Sequence, residues 1–259
     1  MPIRLREGYS RLSGWSAYLA ALSVPVLIVA AIGHRTRMLD AVPTYGVLAL
    51  GFSLAALAVI AAVAAFAAIW RDGRKGSGAA TRGLIVGLVV LAMPAIGAWR
   101  VVTYPRLNDI STDLADPPAL SFAVLDRTPA DEPVGGLSAE EIALHKEAYP
   151  DIVSRHYPVS TARVYQEARA IVDGRGWQIL SAREPSEADE TGSIEAVAVT
   201  TFFSFRQDVA IRIVTDGDGS LVDMRSAARN SAHDLGADAE RVRRFFADLD
   251  QALQGISGV

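Results

Sequence analysis

The chain contains no cysteine. Disulfides, thiolate metal sites and cysteine nucleophiles are therefore excluded, while the compartment is left undetermined. Aromatic residues are scarce, at 7%. No G-x-S-x-G elbow, H-E-x-x-H zinc motif or phosphate-cradling glycine loop occurs in it. The usual signatures of serine hydrolases, zinc proteases and nucleotide enzymes are missing with them. Charge is absent from three stretches, Trp15–Ile32, Val47–Trp70 and Leu84–Trp99, which hold no Asp, Glu, Lys, Arg or His.

Those uncharged stretches approach the ~20 apolar residues that a bilayer core of about 30 Å demands. They predict a three-helix transmembrane bundle over residues 1–102. The first run has a basic start and a loose small-x-small site at Ala31-Ile32-Gly33. It is too long for a signal core and two more spans come after it, so a retained helix is expected. Spans without ionisable groups read as an anchor rather than a transport path. The second span is dense in alanine, which predicts close packing between the other two. Trp15, Tyr18, Tyr45, Trp70, Trp99 and Tyr104 lie near span ends, where aromatic rings favour the interface.

The chain is electrically divided. Through Val102 it carries ten basic and three acidic residues; beyond that, fifteen basic face twenty-six acidic. An acidic soluble half argues against nucleic acid as a partner, because phosphate binding needs clustered Lys and Arg. Arg4, Arg6 and Arg11 precede the first span, and Arg71, Arg74, Lys75 and Arg82 come after the second. The intervening loop has Arg35, Arg37 and His34 with Asp40. By the positive-inside rule the N-terminus is cytoplasmic and the C-terminal domain lies outside, periplasmic for a bacterial inner-membrane protein.

Residues 103–159 hold seven prolines, which bar long regular elements. A short helix is expected at the capping box of Ser138 and Glu141; the rest should wrap over the domain that begins at residue 160. From residue 160 to 259 periodicity predicts a helix capped by Ser160 or Thr161 and ended at Gly174. Four strands come next, over Trp177–Arg183, Ile194–Phe205, Asp208–Thr215 and Leu221–Arg229, then a helix over Ala237–Leu253. The fold class is α+β. It combines the membrane bundle with an α-β-β-β-β-α domain, its antiparallel sheet covered on one face by helices. Strand parity turns Val209, Ile211, Ile213, Val222, Met224, Ser226 and Ala228 toward those helices. It leaves Asp208, Arg212, Asp223, Arg225, Ala227 and Arg229 on the other, open face.

At this point a family resemblance emerges. Asn108-Asp109-Ile110-Ser111-Thr112-Asp113 with Asp116-Pro117-Pro118 looks like the start of a DUF1499 domain. Ala148-Tyr149-Pro150-Asp151-Ile152 is similar to a segment of its alphaproteobacterial members. Phe205–Arg212, Val222–Arg229, Asp234-Leu235-Gly236 and the group Arg241, Arg244 and Phe245 resemble its later motifs. The resemblance covers Tyr104 to Leu253, and a membrane-anchoring three-span prefix is one arrangement seen in the family. Gln207 stands where an acid is usual, Asn230-Ser231 replaces a glycine-containing turn, and Asp238 stands where asparagine is common. The family implies no established activity.

The candidate residues are Arg212, Arg225, Arg229, Asp109, Asp113, Asp234 and His233, read either as an anion site or as an internal ionic network. Aspartates are plentiful partners, which favours arginines that pin the proline-rich wrap to the sheet. Asp109, Ser111 and Asp113 alternate like calcium ligands, but Leu114 and Leu120 stand where such loops need glycine and glutamate. Asp216, Asp218 and Ser220 read as a hairpin turn, so no metal is expected. His145, His156 and His233 have no recognisable nucleophile, and no catalytic residue or cofactor is assigned. Tyr149 reads as a packing anchor. The leading expectation is a non-enzymatic envelope module on the lipid bilayer, binding an envelope protein or a lipid-derived ligand. The rival is an enzyme acting on an envelope substrate through the Arg/Asp face.

Overall fold

The computed structural model describes residues 8–129, 131–187, 189–200 and 204–254. Arg4, Arg6 and residues 201–203 of the expected second strand lie outside them. The chain divides into two compact units, with the boundary between Trp99 and Arg100.

The first unit is built of helices α1 (Arg11–Arg35), α2 (Ala41–Asp72) and α3 (Ser77–Thr103), whose last turn passes into the second unit. They have 25, 32 and 27 residues, or about 38, 48 and 40 Å at 1.5 Å per residue. All three are long and apolar enough to cross a membrane. Each overruns its uncharged stretch, because polar flanks continue a helix once its apolar centre has formed. Pro25 and Pro94 lie within α1 and α3.

Small residues make the helix contacts. In α2 the buried set is Thr44, Leu48, Gly51, Ala55, Ala58, Ala62 and Ala65, one stripe at steps of three and four. Ser16 Oγ donates to the Ala58 carbonyl, 2.8 Å away. The second span does not separate the other two, contrary to the alanine argument. A Cβ on Gly83 of α3 would overlap Ser16 of α1, and one on Gly87 would meet Val59 and the Ala55 carbonyl of α2. Serine and glycine on the outer helices do what alanine does on the middle one, so all three pairs touch. Outward rows such as Ile28, Val29, Ile32, Ile60, Val63, Ile85, Val89 and Ile96 stay exposed, as lipid-facing positions are.

The second unit begins with a strap: β1 (Asp109–Ser111), α4 (Ser121–Leu125), α5 (Ala139–Ala148) and β2 (Arg155–Tyr157). The capping box at Ser138 forms in full and starts α5. Next come α6 (Thr161–Gly174), β3 (Gln178–Arg183), β4 (Gly192–Val199), β5 (Arg206–Asp216), β6 (Gly219–Ala228) and α7 (Ala237–Gln254). That run is the expected α-β-β-β-β-α plan. The sheet is open and wholly antiparallel in the order β1-β6-β5-β4-β3, with β2 also on β6. Thus β1 and β2 share the outer edge of β6, beside Arg225–Ala227 and Ser220–Val222 respectively. A bare edge would expose unpaired backbone groups; the strap removes it. The second strand stops at Val199, where Thr200 and Phe205 bond to each other across the end of the β4–β5 pair.

Helices α6 and α7 bury Val164, Ala168, Val172, Val242, Phe245, Phe246 and Leu249 against Ile194, Val209, Ile211, Ile213, Val222 and Met224. Each large side chain buried there contributes ~1.5–3 kcal/mol relative to exposure. The opposite face is not open throughout. Leu120 and Ala123 of the strap pack on Ala210 and Ala227, with Val134 and Leu180 beside them. Alanines in β5 and β6 leave room for the strap to lie flat there.

Candidate functional site

Across the far face, antiparallel register lines residues up in rows. Ser193, Arg212 and Asp223 form one row, and Glu195, Ala210 and Arg225 the next. The three arginines expected on this face are all there, and each is engaged from within. Arg225 grips Asp109 through Nε and Nη2, at 2.9 and 2.5 Å, and donates to the Gly135 carbonyl. Arg229, 1% exposed, reaches Asp208 through Nε and Nη2 and the Asp126 carbonyl through Nη1. Arg127, from the strap, takes the other Asp208 oxygen at 2.7 Å. Arg212 meets Asp223 at 2.9 Å, Asp113 at 3.0 Å and Asp116 at 2.6 Å. Charge-assisted bonds of this kind fix geometry strongly. The residues accordingly act as staples holding residues 109–136 to β5 and β6.

Electrostatics bear this out at the strap's ends. Burial works to raise the Asp113 carboxyl. The backbone N–H groups of Asp116 and Ala115 and the Arg212 guanidinium outweigh it and hold Asp113 below its usual range. Asp126 likewise lies low, with burial opposed by Arg206 and Arg229. The calcium-like run is an ordinary turn: Asp113 accepts from Ala115 and Asp116, and Ser111 donates to the Asp113 carbonyl. Among the described residues no acidic or histidine cluster fits a metal ion.

Asp234 and His233 do not join the arginines. Asp234 accepts from the backbone of Gly236 and Asp238, starting α7. Gly236, at φ +76°, leaves room for the Tyr104 ring that a Cβ would strike. His233 Nδ1 accepts from Leu235 N, so its ring serves the same turn. His156 meets the Asp216 carbonyl. His145, 1% exposed, lies edge-on to Tyr149, and its two ring nitrogens have no hydrogen-bond partner. Burial keeps that imidazole below its usual pKa. Among the described residues, the ring nitrogens of these three histidines bond to no hydroxyl.

One cleft, of about 500 Å³, lies between the strap and the part of β3, β4 and β5 that the strap leaves uncovered. Pro117, Pro118 and Phe122 of the strap form one wall; Ser181, Arg183, Thr191, Ser193, Glu195 and Arg212 form the other. Glu195 is 8% exposed and accepts, through Oε2, from the backbone of Phe122 at 2.8 Å and Ala123 at 3.2 Å. Its Oε1 and the hydroxyls of Ser181, Thr191 and Ser193 bond to none of the described residues. Arg183 pairs with Asp189 at the mouth. Of the residues lining this cleft, only Arg212 was a candidate site residue from sequence, while Asp116, Pro117 and Pro118 entered through the family resemblance. Glu195 had a legible signal, since Ile194, Ala196 and Ala198 alternate with it. Arg127, within the proline-rich strap, had none.

No curated protein matches the chain. The family model described as a protein of unknown function, DUF1499, matches residues 109–249, more than half of the chain. That match runs from β1 through most of α7 and takes in the stapled strap, the sheet and the cleft. The chain therefore belongs to the DUF1499 family.

Proposed function

We propose that this protein is a membrane-anchored envelope module that holds a ligand or partner in the cleft over β3, β4 and β5, at the outer face of a bacterial inner membrane. The cleft carries the reading: it combines pocket-like volume with hydroxyls and a carboxylate oxygen left unbonded by the described residues. Ligand sites of this size range typically pair concave shape with a few convergent polar groups. The anchor reading rests on the three apolar helices. The orientation rests on the excess of Arg and Lys before α1 and between α2 and α3. Residues 104–108 reach only about 18 Å when extended, which favours a ligand met near the bilayer. The arginine trio supports binding less well, because its charge is spent on the strap.

The absence of native cysteine makes a direct test available. Ser193→Cys, in the cleft, provides a single thiol; Glu187→Cys, exposed outside it, serves as control. Alkylation by a maleimide is timed in native membranes and after purification in mild detergent. A thiol at position 193 that reacts several-fold slower in membranes, with the control unchanged, is expected. Equal rates at 193 in both preparations would overturn the proposal.

A further inference from the structure

We infer that the cleft over β3, β4 and β5 takes an uncharged, polyhydroxylated ligand, an oligosaccharide segment by chemical class; this rests on the binding role just proposed. The site's charge points away from anions. Arg212 already faces Asp113, Asp116 and Asp223, and Arg183 is paired with Asp189. An incoming phosphate or carboxylate would meet more carboxylate than free guanidinium, and like charges at close quarters are costly. A cation would find Asp113, Asp116 and Asp223 already committed to Arg212, Asp189 to Arg183, and one Glu195 oxygen to the strap backbone. Neutral hydroxyls escape both penalties.

The unbonded groups suit such a ligand. Ser181, Thr191 and Ser193 each both donate and accept, and Glu195 Oε1 only accepts. Ser181 and Glu195 are register partners on adjacent strands, as are Arg183 and Ser193. The array is therefore repeated at strand spacing, ~4.8 Å across and two residues along. A chain of sugar hydroxyls presents the same alternation of donors and acceptors. Phe122, 52% exposed at the lip, offers an apolar ring on which a sugar's C–H face can rest.

The same geometry argues against glycoside cleavage by a carboxyl pair. Glycoside cleavage needs two free carboxyl groups about 5–9.5 Å apart, one of them acting as acid. Here Glu195 is held by the strap backbone and Asp116 by Arg212.

The test uses the full chain in nanodiscs with four tetrasaccharides: uncharged N-acetylglucosamine and maltose series, anionic galacturonate and cationic glucosamine. Calorimetry measures affinity, and slowing of maleimide at Ser193→Cys, or at Ser181→Cys should the first misfold, locates the ligand. At least one uncharged probe should bind and protect the thiol. Ser193→Val, which suits a strand, should weaken that binding about tenfold by removing one hydrogen bond. Protection by only the charged probes, or by none while native membranes still protect the thiol, would overturn the ligand class and leave the binding role standing. No protection in native membranes or by any probe would overturn both.

Discussion

Asp208 has no exposed surface and is flanked by two guanidinium groups, Arg229 on Oδ1 and Arg127 on Oδ2. Removing the central charge of such an arrangement strands cations that cannot reach water. Asp208→Asn should cost ~3–5 kcal/mol. Asp173→Asn, which breaks the exposed pair with Arg169, should cost ~1 kcal/mol or less. Hydrogen exchange of β5 and β6 amides, or a denaturation midpoint, separates the two cases. Asp238 presents the opposite problem. Fully buried, it bonds Ser226 and Arg241 through Oδ1 while Oδ2 has no partner. Burial, opposed by Arg241 and reinforced by Asp234 and Asp109, lifts its pKa to about 7. A carboxyl raised above its unfolded value binds an extra proton in the folded state. Its contribution to stability therefore declines as pH rises from about 4 through 7. Asp238→Asn, which keeps an oxygen for Ser226 and Arg241, should flatten that slope and raise the melting midpoint more at pH 8 than at pH 5. An unchanged slope would assign the pH dependence elsewhere.

At the scale of elements, what was legible depended on length and period. Helices α6 and α7 and strands β5 and β6 run for 10 to 18 residues, long enough for their apolar spacing to identify both element and buried face. That parity correctly grouped Arg212, Arg225 and Arg229. By contrast β1 and β2 have three residues each and α4 has five, too few for any period to register. Their places are set by β6 and by the arginines, partners that no local pattern names. How much of the far face the strap covers was left undecided by the sequence for this reason. In the membrane unit, alanine density drew attention to α2 and hid the glycines of α3. Gly83→Val should force α1 and α3 apart through Ser16. Crosslinking between cysteines introduced along α1 and α3 should be lost in that variant. Persistent crosslinking would mean that the contact is dispensable.

For the whole molecule, the decisive quantity is the sidedness of the chain. On the proposed topology, a reporter enzyme active only outside the cytoplasm, fused after Val259, gives signal in intact cells. Silence from a stably expressed fusion would invert the topology. The two-part plan was visible from composition alone, because apolar, basic residues and acidic, polar ones occupy separate halves of the chain. The cleft was not, since its walls come from the strap and from three strands whose mutual register only the folded chain defines.

The strap's pairing with β6 also bears on how the protein is made. Arg225 and Asp109 are 116 residues apart in sequence, and β1 emerges first during synthesis. Until β6 is made, β1 and β2 have no strand to pair with and Asp109 lacks Arg225, so these contacts at the sheet edge form late in synthesis. A ribosome that stalls, or a protease that cuts, before residue 219 leaves an anchored chain whose acidic strap cannot close. The last long strand of the sheet is thus what closes the first, and the strap's edge pairing requires a chain that runs through β6.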